Sequence, residues 1–93
     1  MAKTTKTAFE EIGIAMTPLD MLKVKVAAAI SRHVQSAGMT QAEAAAALNI
    51  DQPKVSKLLR GRLDDFSLDR LVSYAAALGH GVDVKISAPR KVA

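Results

Sequence analysis

Residues 40–61 carry the feature that most constrains the fold: two short helix-forming segments separated by a break of three or four residues. Thr40 and Glu43 can form a capping box, because the Thr40 hydroxyl can accept from the Glu43 backbone N–H while the Glu43 carboxylate accepts from the Thr40 N–H. The box predicts a helix over residues 41–48. Asn49 is expected to end that helix, since asparagine tolerates the left-handed conformation of a tight turn.

The second segment is predicted to be a helix over residues 52–59. Pro53 suits the first helical turn but biases Gln52 away from helical angles, so the N-cap is either Asp51 or Gln52. Gly61 is expected to end this helix. The sequence therefore predicts two consecutive helices joined by a tight turn.

The apolar residues of the two segments indicate how the helices pack. Ala44 and Ala45 are small, which lets the first helix approach the second closely. The larger contacts that would fix the crossing angle are Leu48, Ile50, Val55 and Leu58. Two short helices packed in this way across a short turn form a helix-turn-helix.

Helical periodicity continues on both sides of this pair. Thr17 and Pro18 suit the N-cap and the first position of a helix that the apolar spacing extends to about Ala37. Ser67 is expected to cap a further helix, which Gly79 ends. Together these segments predict a mainly α fold, a bundle of four to five short helices.

Residues 82–86 alternate apolar and polar side chains, which is typical of a short C-terminal β-strand. A lone strand leaves its backbone hydrogen-bonding groups unpaired. It would therefore pair either with residues 12–16 of the same chain or with the same strand of a second copy, which would give a two-fold dimer. The residues predicted to form the dimerisation seam are Val82, Val84 and Ile86.

The length of 93 residues fits a single domain. We expect a flexible tail over residues 1–8, a helix-turn-helix domain with its C-terminal strand over residues 9–87, and a basic tail over residues 88–93. No apolar run approaches the roughly 18–20 residues that span a bilayer, and the N-terminus lacks the apolar stretch of a signal peptide. A cytoplasmic protein with no membrane partner is therefore expected.

Positive charge is concentrated in and just after the second helix of the pair. The chain carries a formal net charge of +4. Residues 51–62 include one acidic residue, Asp51, and the basic residues Lys54, Lys57, Arg60 and Arg62. A basic segment of this kind indicates a polyanionic partner.

The same helix carries side chains that can read DNA bases. Glutamine can pair bidentately with adenine, lysine can donate to guanine O6 and N7, and serine can serve either role. The residues predicted to read bases in the major groove are Gln52, Pro53, Lys54, Ser56 and Lys57. The residues predicted to contact the DNA backbone are Thr40, Gln41, Arg60 and Arg62. Double-stranded DNA is thus the expected partner.

Catalytic and metal chemistry find little support in the sequence. The absence of cysteine excludes disulfides, thiolate zinc sites and cysteine nucleophiles. The two histidines, His33 and His80, are far apart in the sequence, and neither has a second ligand candidate at metal spacing. We therefore expect no catalytic residue, no metal and no cofactor, and we interpret the chain as not being an enzyme.

The run from Thr40 to Gly61 resembles the Cro and phage-repressor class of helix-turn-helix domains, often called the XRE family. The matching residues are Thr40, Gln41, Ala45, Leu48, Ile50, Gln52, Val55, Ser56 and Gly61. The resemblance implies a lambda-repressor-like bundle and a homodimeric repressor bound to a palindromic operator. It also implies that the two recognition helices enter major grooves about 34–36 Å apart, which is one turn of DNA.

A wider similarity, over about residues 9–87, links the chain to HigA-like antitoxins, a subgroup encoded beside RelE-type toxins. Segments that carry it include residues 9–13, 59–62 and 66–71. As an antitoxin, the chain would bind a RelE-type toxin and repress its own operon. Standalone phage-type regulators share the pattern, so a repressor without a toxin partner is one alternative. A protein-interaction module that mainly neutralises a toxin is another.

Overall fold

The computed structural model describes residues 17–89 of the chain. This part contains four α-helices: α1 (Pro18–Ser36), α2 (Gln41–Leu48), α3 (Gln52–Leu59) and α4 (Leu68–Ala77). Their positions confirm the helices predicted from the sequence. The predicted tail over residues 1–8, the candidate strand over residues 12–16 and most of the basic tail lie outside the described residues.

Each of these helices begins at a side chain that accepts a hydrogen bond from the backbone N–H three residues later. The four acceptors and their distances to nitrogen are Thr17 at 3.1 Å, Thr40 at 3.0 Å, Asp51 at 2.9 Å and Ser67 at 3.2 Å. The predicted capping box is present, since the Glu43 carboxylate accepts from the Thr40 N–H at 2.8 Å. Asp51, and not Gln52, is the N-cap of α3.

The core lies among the four helices: α1 packs against α3 and α4, and α2 contributes Ala44, Ala45 and Leu48. Its largest fully buried side chains are Ile30, Val55, Leu58 and Leu71. The loop between α3 and α4 adds Leu63 and Phe66, and the Phe66 ring meets the ring of Tyr74 edge-on with centroids 6.1 Å apart. The long helix α1 and the helix α4 thus form a scaffold that holds the α2–α3 pair.

The predicted strand at residues 82–86 is wrong, because residues 80–89 form no regular secondary structure. A strand needs a neighbour to accept and donate its backbone hydrogen bonds. No segment within residues 17–89 supplies one. Val82 instead packs partly buried against the core, while Val84 and Ile86 are 59% and 89% exposed.

An apolar groove runs between α1 and α4 and is closed on one side by the segment that follows α4. We call it the α1–α4 groove; the apolar side chains that line it are Leu22, Val26, Ala29, Leu68, Val72, Ala75, Val82 and Val84. None of the described helices is both long and apolar enough to cross a lipid bilayer. The residues that line the groove belong to α1, to α4 and to the segment after α4, so the groove is separate from α2 and α3.

Candidate nucleic-acid interface

The turn between α2 and α3 has the backbone geometry that its sequence predicts. Asn49 takes the left-handed conformation, with φ +58° and ψ +45°. The N–H of Ile50 donates to the carbonyl of Ala45 at 3.0 Å, and the N–H of Val55 donates to the carbonyl of Asp51 at 3.2 Å. The first bond pairs a carbonyl in the last turn of α2, and the second is the first i→i−4 hydrogen bond of α3.

The inner faces of α2 and α3 pack as the alanine pattern predicts. Ala44 is fully buried and Ala45 nearly so, which allows close approach of the two helix backbones. Val55 and Leu58 hold α3 to the core, at 0% and 2% exposure. With two buried anchors on one side, the opposite side of this eight-residue helix is turned outward.

The outward side of α3 carries the residues predicted to read bases. Gln52, Pro53 and Lys54, which form the first turn of α3, are exposed to solvent. Ser56 and Lys57 are half-buried. The structure therefore brings the five predicted residues together on one short helix, with the first turn the most accessible part.

The residues predicted to contact the DNA backbone flank this surface on two sides. Thr40 and Gln41 lie exposed at the N-terminus of α2, and Arg60 and Arg62 lie exposed just after α3. The Arg60 N–H donates to the carbonyls of Ser56 and Lys57, so Arg60 serves as the C-cap of α3 through its backbone and leaves its guanidinium in solvent. A helix N-terminus and two guanidinium groups are suited to binding phosphates.

One ion pair in this region is not predicted by the sequence pattern. The Lys57 ammonium donates to the carboxylate of Asp65 at 2.9 Å, and both side chains remain partly exposed. This hydrogen bond and the charge of Lys57 hold the pKa of the Asp65 carboxyl below its usual value. A lysine of the candidate interface is therefore paired with an acid of the following loop.

Comparisons with known proteins agree with this geometry. A family model described as a helix-turn-helix domain matches residues 8–87. A solved structure named as an XRE-family transcriptional regulator is 36% identical to this chain, with a TM-score of 0.72, and the match covers 81% of this chain and 88% of the other. The chain belongs to the XRE-type helix-turn-helix family. No curated protein matches it.

Within an XRE-type helix-turn-helix protein, the second helix of the motif is the recognition helix. That helix is α3 in this chain, and α2 is the helix that precedes it in the motif. Within residues 17–89, no group of three or more His, Cys, Asp or Glu side chains lies close enough together to hold one metal ion. The exposed chemistry of the motif is thus that of amide, hydroxyl, ammonium and guanidinium groups.

Proposed function

We propose that this chain is a sequence-specific DNA-binding transcriptional regulator that inserts α3 into the major groove. The proposal rests on the observation that one side of α3 is buried in the core and the other is exposed to solvent. Val55 and Leu58 fix one side in the core, while Gln52 and Lys54 stand free in the first turn. Bases are read by the N-terminal residues of such a helix.

Side-chain chemistry indicates which residues contact bases and which contact phosphates. The Gln52 amide offers a donor and an acceptor to adenine N7 and N6, and Lys54 and Lys57 offer donors to guanine. Arg60, Arg62 and the N-terminus of α2 bind phosphates, which position the protein without reading sequence. The proposal therefore assigns specificity to α3 and general affinity to its flanks.

This assignment is tested by comparing Gln52→Ala with Arg60→Ala on the promoter of the chain's own gene and on a scrambled duplex. We expect Gln52→Ala to weaken promoter binding by about 1–3 kcal/mol and to leave scrambled DNA almost unaffected. We expect Arg60→Ala to weaken both duplexes alike and to reduce the salt slope by about 1. Equal losses for both variants on both duplexes would contradict the division of roles, and no saturable binding by the wild type would contradict the function itself.

We also propose that the regulator acts as a homodimeric repressor on a palindromic operator. Support comes from apolar side chains that the single chain leaves in solvent: Leu19 at 50% exposure, Val84 at 59% and Ile86 at 89%. Leu19 continues the stripe of Leu22 along α1 toward the α1–α4 groove. A second copy covering these side chains would present two α3 helices to one face of DNA. Sedimentation of the chain with and without Val84→Glu and Ile86→Lys tests this, since loss of a dimer is expected for the double variant.

The antitoxin role is a finer proposal that rests on the resemblance to HigA-like antitoxins. Met21 and Val24 on α1, at 51% and 39% exposure, are not among the side chains assigned to the dimer and are compatible with a protein partner that does not compete with DNA at α3. Expression of the chain together with the product of the adjacent gene is the test. Copurification of a RelE-type protein at a fixed stoichiometry supports the antitoxin role, and its failure leaves a standalone regulator.

The Lys57–Asp65 pair gives a separate prediction about affinity. The Asp65 carboxylate, which is ionised at neutral pH, forms an ion pair with the Lys57 ammonium. We assign that ammonium to DNA, so DNA binding has to replace the ion pair. Because an exposed pair contributes roughly 0–1 kcal/mol, we expect Asp65→Asn to tighten DNA binding by up to about fivefold. Fluorescence anisotropy with a labelled promoter duplex measures this.

Asp64→Asn is the matched control for that experiment. It removes the same charge from the neighbouring position, and Asp64 is exposed and makes no ion pair within the described residues. We expect a smaller gain for Asp64→Asn, due only to net charge. Identical gains for the two variants would show that the contact with Lys57 does not restrain binding.

A further inference from the structure

Two histidines that the sequence separates widely meet on the surface of the bundle. His33 lies near the end of α1, and His80 follows α4. The Nδ1 atom of His33 and the Nε2 atom of His80 are 3.0 Å apart across 47 residues of chain. The two rings stand edge-to-face with centroids 4.9 Å apart. Sequence spacing alone argued against a histidine site, and the fold brings the pair together.

The backbone on both sides of this pair is held in place. The N–H of His80 donates to the carbonyl of Ala75 at 3.0 Å, which ties the residue to the end of α4. The carbonyl of His33 accepts from the N–H of Ala37 at 2.9 Å, within the last turn of α1. His33 is half-buried and His80 is exposed. The pair is therefore positioned in advance and open to ions from solvent.

We propose that His33 and His80 chelate a divalent transition-metal ion of the class of Ni²⁺, Cu²⁺ and Zn²⁺, for which imidazole is a suitable ligand. With metal–nitrogen bonds of about 2.0–2.1 Å, two nitrogens on one ion lie about 2.9 Å apart at a right angle and about 3.3 Å apart at a tetrahedral angle. The observed 3.0 Å falls inside that range. Square or octahedral coordination, which Cu²⁺ and Ni²⁺ favour, needs the smaller change in the distance between the two nitrogens.

The two imidazoles can also replace their mutual hydrogen bond with bonds to a metal ion. In the hydrogen bond one facing nitrogen carries a proton and the other a lone pair. On binding, the donor ring moves its proton to its remote nitrogen, so two neutral imidazoles supply two lone pairs and no proton is released. No third His, Cys, Asp or Glu joins the pair within residues 17–89, so water fills the other coordination positions.

Local electrostatics favour a cation at this place. His33 is in the last turn of α1, where the carbonyl ends of the helix carry partial negative charge. Since the ion would bridge α1 and the segment after α4, binding links metal concentration to the stability of the folded bundle. This inference does not depend on the proposed DNA function, and its failure would leave that function untouched.

The experiment is a calorimetric titration of the tag-free full chain with NiCl₂, CuCl₂ and ZnCl₂, each alone. We expect one ion per chain and an increase in Tm with at least one of the three metals. His33→Gln and His80→Gln retain hydrogen-bonding side chains but lose an imidazole, and each is expected to weaken metal affinity at least tenfold and to abolish the increase in Tm. Circular dichroism without metal checks that both variants fold.

Two outcomes would overturn the site. One is the absence of binding at millimolar metal by wild-type protein. The other is an unchanged affinity or an unchanged Tm increase in both glutamine variants, which would place the ion on other groups of the chain. If a histidine-to-glutamine variant folds and stays monodisperse but binds the metal ion more weakly, the histidine is a metal ligand. A histidine with only a structural role would not change metal affinity in a variant that folds.

Discussion

Replacing Lys54 and Lys57 together with alanine is expected to weaken promoter binding by roughly 30-fold or more, because each lysine contact with a base contributes about 1–3 kcal/mol. The free energy of unfolding should change by less than about 1 kcal/mol, since Lys54 is exposed and Lys57 contributes only a partly exposed ion pair. Anisotropy titrations and urea unfolding of the same samples measure the two quantities separately.

The double variant Lys25→Ala and Lys85→Ala is the control for net charge. It removes the same two charges from exposed positions on α1 and after α4, away from the helix-turn-helix. We expect only a small loss of affinity that disappears at higher salt, because distant surface charges are screened. If both double variants lose affinity equally, the lysines of α3 act through overall charge and not through contact.

Leu58→Ala is expected to lower the free energy of unfolding by about 2–5 kcal/mol, the cost of deleting a large buried side chain. Leu58 is 2% exposed and is one of two buried residues that hold α3 to the core. A loss of this size is a large part of the roughly 5–15 kcal/mol that stabilises a domain. Urea unfolding followed by circular dichroism gives the value.

Met21→Ala makes the comparison, because it also shortens a long apolar side chain to alanine at a position that is 51% exposed. We expect a loss of less than about 1 kcal/mol there. The apparent DNA affinity of a Leu58→Ala sample should fall in proportion to the fraction of the protein that is folded. A Leu58→Ala protein as stable as Met21→Ala would show that α3 is not anchored as described.

Local sequence signals predicted most of the helical fold because they act over three or four residues. The Thr40–Glu43 box and the Asn49 turn depend on chemistry between near neighbours, and both are present in the structure. The open choice between Asp51 and Gln52 as cap was settled by a single hydrogen bond from the Lys54 N–H to Asp51. The outward position of α3 followed from Val55 and Leu58, whose spacing places them on one side.

Features that depend on distant partners were beyond such signals. Alternation at residues 82–86 describes a side-chain pattern but does not supply the neighbouring strand that the pattern needs. The pairs Lys57–Asp65 and His33–His80 arise from the path of the chain between their members. Neither pair has a spacing that marks it in the sequence, so only the fold reveals them.

An NMR titration of the chain shows whether α3 reads DNA. Isotope-labelled chain is titrated with a duplex from its own promoter and with a scrambled duplex of the same length, while backbone amide shifts are followed. We predict the largest changes at residues 40–41, 51–57 and 60–62, with those of residues 52–57 specific to the promoter. Changes confined to the α1–α4 groove, with α3 unaffected by either duplex, would show that α3 does not read DNA.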